Sequence, residues 1–394
     1  AYAMYVFFIC NSDVNVARVQ LIYVASSLFD LTWLFYGLEK FKTVAIRNAI
    51  IKVITTVCVF VFVNSPSDVI LYTLIMATST CLGQIVLFPQ VVVAIPPIRF
   101  EIEDVKEHIK PLFTLFVAAV AISLYTMFDK TLLGIMSTKE SVAYYDYSNK
   151  IVCIPATFIG IASTVLYPKA CQYAAVKDFT GMRRNMEKSL IVSNLIGFST
   201  AFGLFAIADQ FAFLYYGEEF SICGSIIAAM CPLILISGIG EAVRSQYIYP
   251  LKMDMAMVKI VSLNAIINLV LSATLIPSCG VHGAVIGSIV AEFTGLAIEI
   301  FLIRKFVSPK WIVMQCIPYM VIGLVMAIVV KAIGIVIGVN TTTEVGWRLL
   351  GIQVLVGIAI YCLGSILYMC FFKKEFLDMI LKEIKQKSSK WSIE

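Results

Sequence analysis

Long apolar runs separated by short charged connections set the pattern of this chain. After an apolar stub at residues 1–10, eleven stretches are long enough to cross a bilayer: 15–37, 43–63, 69–95, 111–136, 151–167, 189–208, 222–240, 257–276, 283–303, 312–336 and 348–372. Crossing hydrocarbon takes about 20 helical residues, and backbone polar groups find no partner in lipid, so every stretch is predicted to be helical. The stub has half that length and reads as the tail of a helix that begins before residue 1, with no basic region of the kind that opens a signal peptide. Pro89, Pro155, Pro232 and Pro318 fall inside the runs and predict kinks. The fold class expected is an all-α polytopic membrane protein with about 12 transmembrane segments, the first one partial.

Charge sets the orientation. Lys40, Lys42, Arg47 and Lys52 cluster in one connection; Arg99, Lys106 and Lys110 in the second after it; and Lys169, Lys177, Arg183, Arg184 and Lys188 two further on. The alternation continues with Arg244, Lys252 and Lys259, with Arg304, Lys305 and Lys310, and with the lysines after Lys373, which together hold most of the 30 Lys and Arg. Intervening connections such as 64–68, 209–221 and 277–282 hold almost none, which places the basic set and the C-terminus in the cytoplasm. The connections are short, so no extramembrane domain is expected. Residues 373–394 alternate apolar and basic positions at helical spacing, as in a helix lying on anionic headgroups.

Composition narrows the class. At 60% hydrophobic and 14% charged residues, the chain is far from the roughly one quarter charged residues of soluble domains. The net charge of +5 comes from basic residues that punctuate apolar runs, not from a basic soluble face, so no nucleic-acid partner is expected. Most of the eleven cysteines lie in apolar stretches and none forms a C-x-x-C, which fits buried small hydrophobes. With His108 and His282 the only histidines, no metal site and no cofactor is expected beyond an H+ or Na+ coupling ion.

Asn48-Ala49-Ile50-Ile51 recurs as Asn264-Ala265-Ile266-Ile267 six segments later, as a six-helix repeat would require. That suggests two parallel lobes around a central cavity: residues 1–100 as the remainder of an N-terminal lobe, 111–303 as a C-terminal six-helix lobe, 312–372 as two additional helices, and 373–394 as the basic tail. Gly283-x-x-x-Gly287 and Gly334-x-x-x-Gly338 read as close helix packing. Tyr144, Tyr145, Tyr147, Tyr215 and Tyr216 read as interfacial aromatic belts in the outer connections, with stacking on sugar rings as the alternative.

Ionisable groups at membrane depth are costly, which makes each a functional candidate. Asp30 is expected to face the bundle interior. Asp129 and Lys130, adjacent and about 100° apart around a helix, place at least one side chain inward. Glu292 and Glu299, seven apart, share a face. Glu241 and Arg244 are spaced to pair, and Lys331 is placed to snorkel. For each, an interhelical salt bridge is the alternative to a polar transport pathway.

Phe29-Asp30-Leu31-Thr32-Trp33-Leu34-Phe35-Tyr36-Gly37-Leu38-Glu39-Lys40-Phe41-Lys42, followed by Ile46-Arg47-Asn48, resembles the motif of bacterial polysaccharide or O-antigen flippases of the Wzx type, within the multidrug, oligosaccharidyl-lipid and polysaccharide exporter superfamily. Phe128 to Gly134 with Tyr144-Tyr145 and Lys150-Ile151, Val165 to Pro168, and Asn268 to Pro277 leading to Gly283-Ala284 and Ala291-Glu292-Phe293 are similar to the same family in order and spacing. Such proteins usually carry two more helices at their start. The resemblance implies a non-enzymatic translocator, with no catalytic residue, in the bacterial cytoplasmic membrane. Its cargo would be oligosaccharide repeat units linked to undecaprenyl pyrophosphate, moved by alternating access with proton or sodium antiport, beside polysaccharide polymerase machinery. Under it Lys130, Arg244, Arg47 and Trp33 are the substrate-binding candidates, and Asp30, Asp129 and Glu292 the ion-coupling ones. A multidrug or organic-cation antiporter would share the fold but show mainly unpaired carboxylates; a polyprenyl-dependent glycosyltransferase or polymerase would need acidic residues or a histidine in a long outer loop.

Overall fold

The computed structural model describes residues 14–38, 40–89, 109, 127–337 and 343–373, helical throughout apart from short connections. The stub at 1–10, residues 111–126 of the fourth predicted span and the tail from 374 onward lie outside the described residues. The chain forms two compact units, Ala1–Phe113 and Thr114–Glu394.

In the first unit, α1 (Val14–Ser26) and α2 (Thr32–Gly37) are followed by α3 (Phe41–Phe62) and α4 (Val69–Ile85). The predicted span 15–37 is therefore not one helix. Ser26 and Ser27 turn their hydroxyls onto the carbonyls of Tyr23 and Val24, and Asp30 accepts the Thr32 amide, so local side chains take over from the helical ladder at the break. Phe35, Val44 and Leu87 form a small buried core. Within the predicted span 69–95, α4 ends at Ile85 and a turn follows at Val86 and Leu87, while residues 90–95 lie outside the described residues.

The second unit opens with α5 (residues 127–136), followed by α6 (Lys139–Ala175), α7 (Phe179–Tyr216), α8 (Cys223–Val243), α9 (Asp254–Cys279), α10 (Val281–Leu302), α11 (Pro309–Ile337) and α12 (Thr343–Phe372). Eight helices among the described residues are long and apolar enough to cross a membrane. α6 and α7 are longer than their apolar windows, running 37 and 38 residues, and only Val176–Asp178 separates them. The tyrosines assigned to outer connections thus sit inside helices. α7 packs against α6, α8, α11 and α12, and α9 pairs with α10. One core gathers Val152, Ile226, Met230, Ile234 and Ala284; another gathers Phe198, Tyr319, Met326 and Tyr361. Lys373 pairs with Glu187, tying the end of α12 to α7.

The two copies of the tetrapeptide have different surroundings: Asn48 is exposed, whereas Asn264 is buried against α10. Lys331 is exposed, with its ammonium 5.6 Å from the centre of the Phe205 ring.

Candidate functional site

The fit of α9 on α10 builds the centre of the site. Asn264, Asn268 and Ser272 recur every four residues on one face of α9 and are buried. Opposite them, Gly283, Gly287, Ala291 and Gly295 recur every four on α10, all buried. A Cβ on Gly287 would stand 2.5 Å from the Ser272 hydroxyl, and one on Gly295 would collide with the Asn264 amide. Glycine is needed there because it brings polar side chains of one helix against the backbone of the other.

Asp129 enters this seam from α5 and is only 7% exposed. Its Oδ2 accepts from Tyr145 Oη at 2.9 Å, Ser288 Oγ at 2.7 Å and Asn268 Nδ2 at 3.2 Å, and its Oδ1 from Ser272 Oγ at 3.1 Å. All four donors are neutral, and among the described residues no basic side chain is within ion-pair distance of Asp129. Hydrogen bonds to a charged group stabilise by about 1.5–3 kcal/mol each, which offsets the desolvation of a buried carboxylate. The three hydroxyls can also turn to accept. The cage can therefore hold a carboxylate, a carboxylic acid or a carboxylate with a small cation without breaking a salt bridge.

Lys130, one residue on, leaves the seam and pairs with Asp146, which also takes Lys150 at 2.7 Å. Asp129–Tyr145 and Lys130–Asp146 thus form two consecutive rungs between α5 and α6, the first buried and the second half-exposed. Lys150 also lies 5.0 Å from the Tyr147 ring centre, and Tyr147 packs edge to face on Phe220 and tilted on Tyr216 beside it. Tyr145 leaves the aromatic group in which its neighbours stand: it is buried and serves Asp129.

Arg244 closes α8 where the helix widens into a π-turn at Arg244–Ile248. Its Nη1 donates to both oxygens of Glu299, at 3.0 and 3.3 Å, and its Nη2 reaches Glu241 at 3.4 Å. The pairing with Glu241 anticipated from spacing is present, yet the deeper partner is Glu299 of α10, 2% exposed. Glu292 is half-buried on the same helix. This group binds α8 to α10 and leaves Arg244 with two acidic partners.

In the first unit, Asp30 is exposed and caps α2, and Trp33 is 69% exposed. Arg47 is buried: Nη1 donates to Gly83 O at 2.8 Å and Gln84 Oε1 at 3.0 Å, and Nη2 to Thr32 Oγ1 at 3.2 Å. The Asp30–Lys42 motif and Arg47 are thereby joined through Thr32. The structure brings Asp129 and Lys130 to one hairpin, Arg244 and Glu292 to the α8–α10 pair, and Asp30, Trp33 and Arg47 to the first unit. Tyr145, Asn268, Ser272 and Ser288 were not anticipated as a group; the signal for them is the four-residue polar stripe of α9 facing the four-residue glycine stripe of α10.

A family model described as Polysaccharide biosynthesis protein matches residues 13–174. A Shigella dysenteriae protein carrying the name O-antigen transporter is 22% identical over 295 residues, 73% of this chain and 71% of its own length. The chain is similar to the polysaccharide and O-antigen flippases. A Haloferax volcanii protein named for a low-salt glycan biosynthesis flippase, Agl15, is 20% identical over 65% of this chain, a stretch spanning 53% of that relative. Among solved structures, the lipid II flippase MurJ in an inward closed conformation superposes with a TM-score of 0.75 over 95% of this chain and 81% of its own, at 16% identity. That last likeness establishes the fold: an all-α, multi-pass membrane architecture shared with a flippase.

Proposed function

We propose that the protein is a flippase moving oligosaccharide repeat units linked to undecaprenyl pyrophosphate across the bacterial cytoplasmic membrane, for surface polysaccharide assembly. The observation that carries the mechanism is the Asp129 cage. A buried carboxylate that, among the described residues, is held by four neutral donors suits the reversible uptake of a proton or sodium ion that would drive alternating access. The similarity to proteins named as O-antigen transporter and glycan flippase supports the cargo class.

The physical task fits the molecule. Pyrophosphate and sugars do not cross hydrocarbon unaided, because burying charged and polar groups without partners is prohibitive, while a polyprenyl tail can stay in lipid. Lys130 and Lys150 bring two ammonium groups together at Asp146 at a half-exposed helix end, which suits a pyrophosphate met at the membrane face. Exchange at Asp129, one residue away on α5, would reach this group through the shared α5–α6 hairpin. The basic connections support a cytoplasmic C-terminus, and the polymerase machinery would be the downstream partner.

Complementation tests the reading. The full-length gene should restore surface polysaccharide to a cell lacking its own flippase, and Asp129→Asn at equal membrane abundance should lower polymer at least tenfold. Polymer at the wild-type level from Asp129→Asn would remove the coupling role.

A further inference from the structure

Asp129 is only 7% exposed, so an ion reaches it through other groups. Those groups lie along α10. Ser288, Glu292, Gly295 and Glu299 stand at i, i+4, i+7 and i+11 and therefore share one face of that helix. The upper end of this file is fixed on the cage: Ser288 Oγ donates to Asp129 at 2.7 Å and lies 3.5 Å from Tyr145 Oη. The lower end is fixed on α8. Glu299, 2% exposed, accepts two contacts from Arg244 Nη1, and the same guanidinium reaches Glu241 at 3.4 Å.

Glu292 stands between the two ends, about 6 Å along the helix axis from Ser288 and about 10 Å from Glu299. It is half-buried, and it is close enough to Glu299 for their charges to act on one another. The titratable and charged groups along this face come from several elements: Asp129 on α5, Tyr145 on α6, and Glu241 and Arg244 on α8, with Tyr249 just beyond. The buried face of α9 adds Asn264, Asn268 and Ser272, all neutral.

Packing decides what can travel here. A Cβ on Gly287 would stand 2.5 Å from the Ser272 hydroxyl, and one on Gly295 would collide with the Asn264 amide. A seam this close has no room for a cation carrying its hydration shell, whereas a proton passes between carboxyl groups through a hydroxyl or one bridging water. The two acids at the lower end differ as its terminus. Glu299 is held by both oxygens and is almost fully buried; Glu241 meets Arg244 through one longer contact, and its side chain is 31% exposed.

We propose that Glu292 relays a proton between Asp129 and Glu241. As Asp129 ionises, its proton passes to the Glu292 carboxylate; Glu292 then gives it to Glu241, where water takes it up. Each step breaks one O–H bond and forms another, and the reverse order loads the cage. Arg244 is the positioning residue, holding Glu241 and Glu299 at the end of the file. Arg304 and Lys305 follow α10 at that end, which the charge pattern assigns to the cytoplasm, so the relay would serve the cytoplasmic side. The relay rests on the coupling reading of Asp129 and names the coupling ion as a proton.

Time-resolved infrared spectroscopy of the whole chain in micelles tests it. The carbonyl stretch of protonated Asp129, assigned by its absence from Asp129→Asn, is followed after a rapid drop in pH. Glu292→Gln and Glu241→Gln should each slow its appearance by at least about tenfold while leaving the equilibrium midpoint in place. Glu292→Asp should retain part of the rate, and azide, a small diffusible acid, should restore it in Glu292→Gln, which a merely structural defect would not allow. An unchanged rate in either glutamine variant, or a slow rate that azide leaves slow, overturns the relay while the coupling role of Asp129 stands. Absence of any titrating Asp129 band in the wild type would overturn both, so the two readings fail distinguishably.

Discussion

Asp129 lies on four neutral donors in the α9–α10 seam, while Lys130 shares Asp146 with Lys150 where water reaches. Substitutions at the two rungs should therefore differ in cost. Tyr145→Phe removes a hydrogen bond to a buried carboxylate and should destabilise by about 1.5–3 kcal/mol. Lys130→Ala breaks a half-exposed pair and should cost less than about 1 kcal/mol. Reversible unfolding in mixed detergent micelles measures both, and equal costs would contradict the burial contrast. The sequence marks Asp129 and Lys130 as candidates because ionisable residues in an apolar run are visible at once. It does not say which of the two faces inward, since adjacent positions on a helix differ only by angle. Nor does it reveal that Tyr145 serves Asp129, because a tyrosine near a membrane surface looks the same whether it lies in an aromatic belt or in a polar cage.

At the scale of elements, the apolar stretches were legible because lipid leaves a long hydrophobic run no alternative to helix. What hydropathy could not show is where side chains override the backbone. Ser26, Ser27 and Asp30 break the predicted 15–37 span with local hydrogen bonds, although its apolar content continues across the break. The Gly283–Gly287 spacing was legible as close packing, and the structure adds its purpose: Gly287 leaves room for the Ser272 hydroxyl that serves Asp129. Gly287→Ala should therefore displace Ser272 and cost about 1–3 kcal/mol through overpacking. Ser272→Ala made in the Gly287→Ala background should recover part of that loss; no recovery would place the strain elsewhere. In the connection before α4, Asp68 is held below the usual carboxylate range by the Ser65 hydroxyl and then by the backbone amides of Asn64 and Ser65. A carboxyl depressed in the folded state stabilises the turn above its unfolded pKa, and that contribution is lost as pH falls through the folded value. Protection of the Asn64 and Ser65 amides, taken relative to their intrinsic exchange rates, should fall on acidification below about pH 4, and Asp68→Asn should remove this pH dependence; an unchanged profile would refute the cap.

At the scale of the whole molecule, the alternating basic connections, the apolar helices and the MurJ-like fold agree on a multi-pass membrane protein, and the named relatives give the cargo class its support. The residues that resemblance singles out prove to have distinct physical settings: Asp129 in a neutral cage, Arg244 bound to two acids, Arg47 buried on neutral acceptors, and Asp30 capping a broken helix. Sequence spacing could not separate them, because their partners are 16 to 159 residues distant along the chain in the Asp129 cage alone. The most direct test of the central claim is the leaflet distribution of lipid-linked repeat units, measured with an impermeant sugar-oxidising reagent in cells lacking their own flippase. The full-length wild-type protein should shift the pool to the outer leaflet, and Asp129→Asn, present at the same level, should leave it on the cytoplasmic side. A pool that stays cytoplasmic with the wild type, or that moves outward equally with Asp129→Asn, would contradict the account.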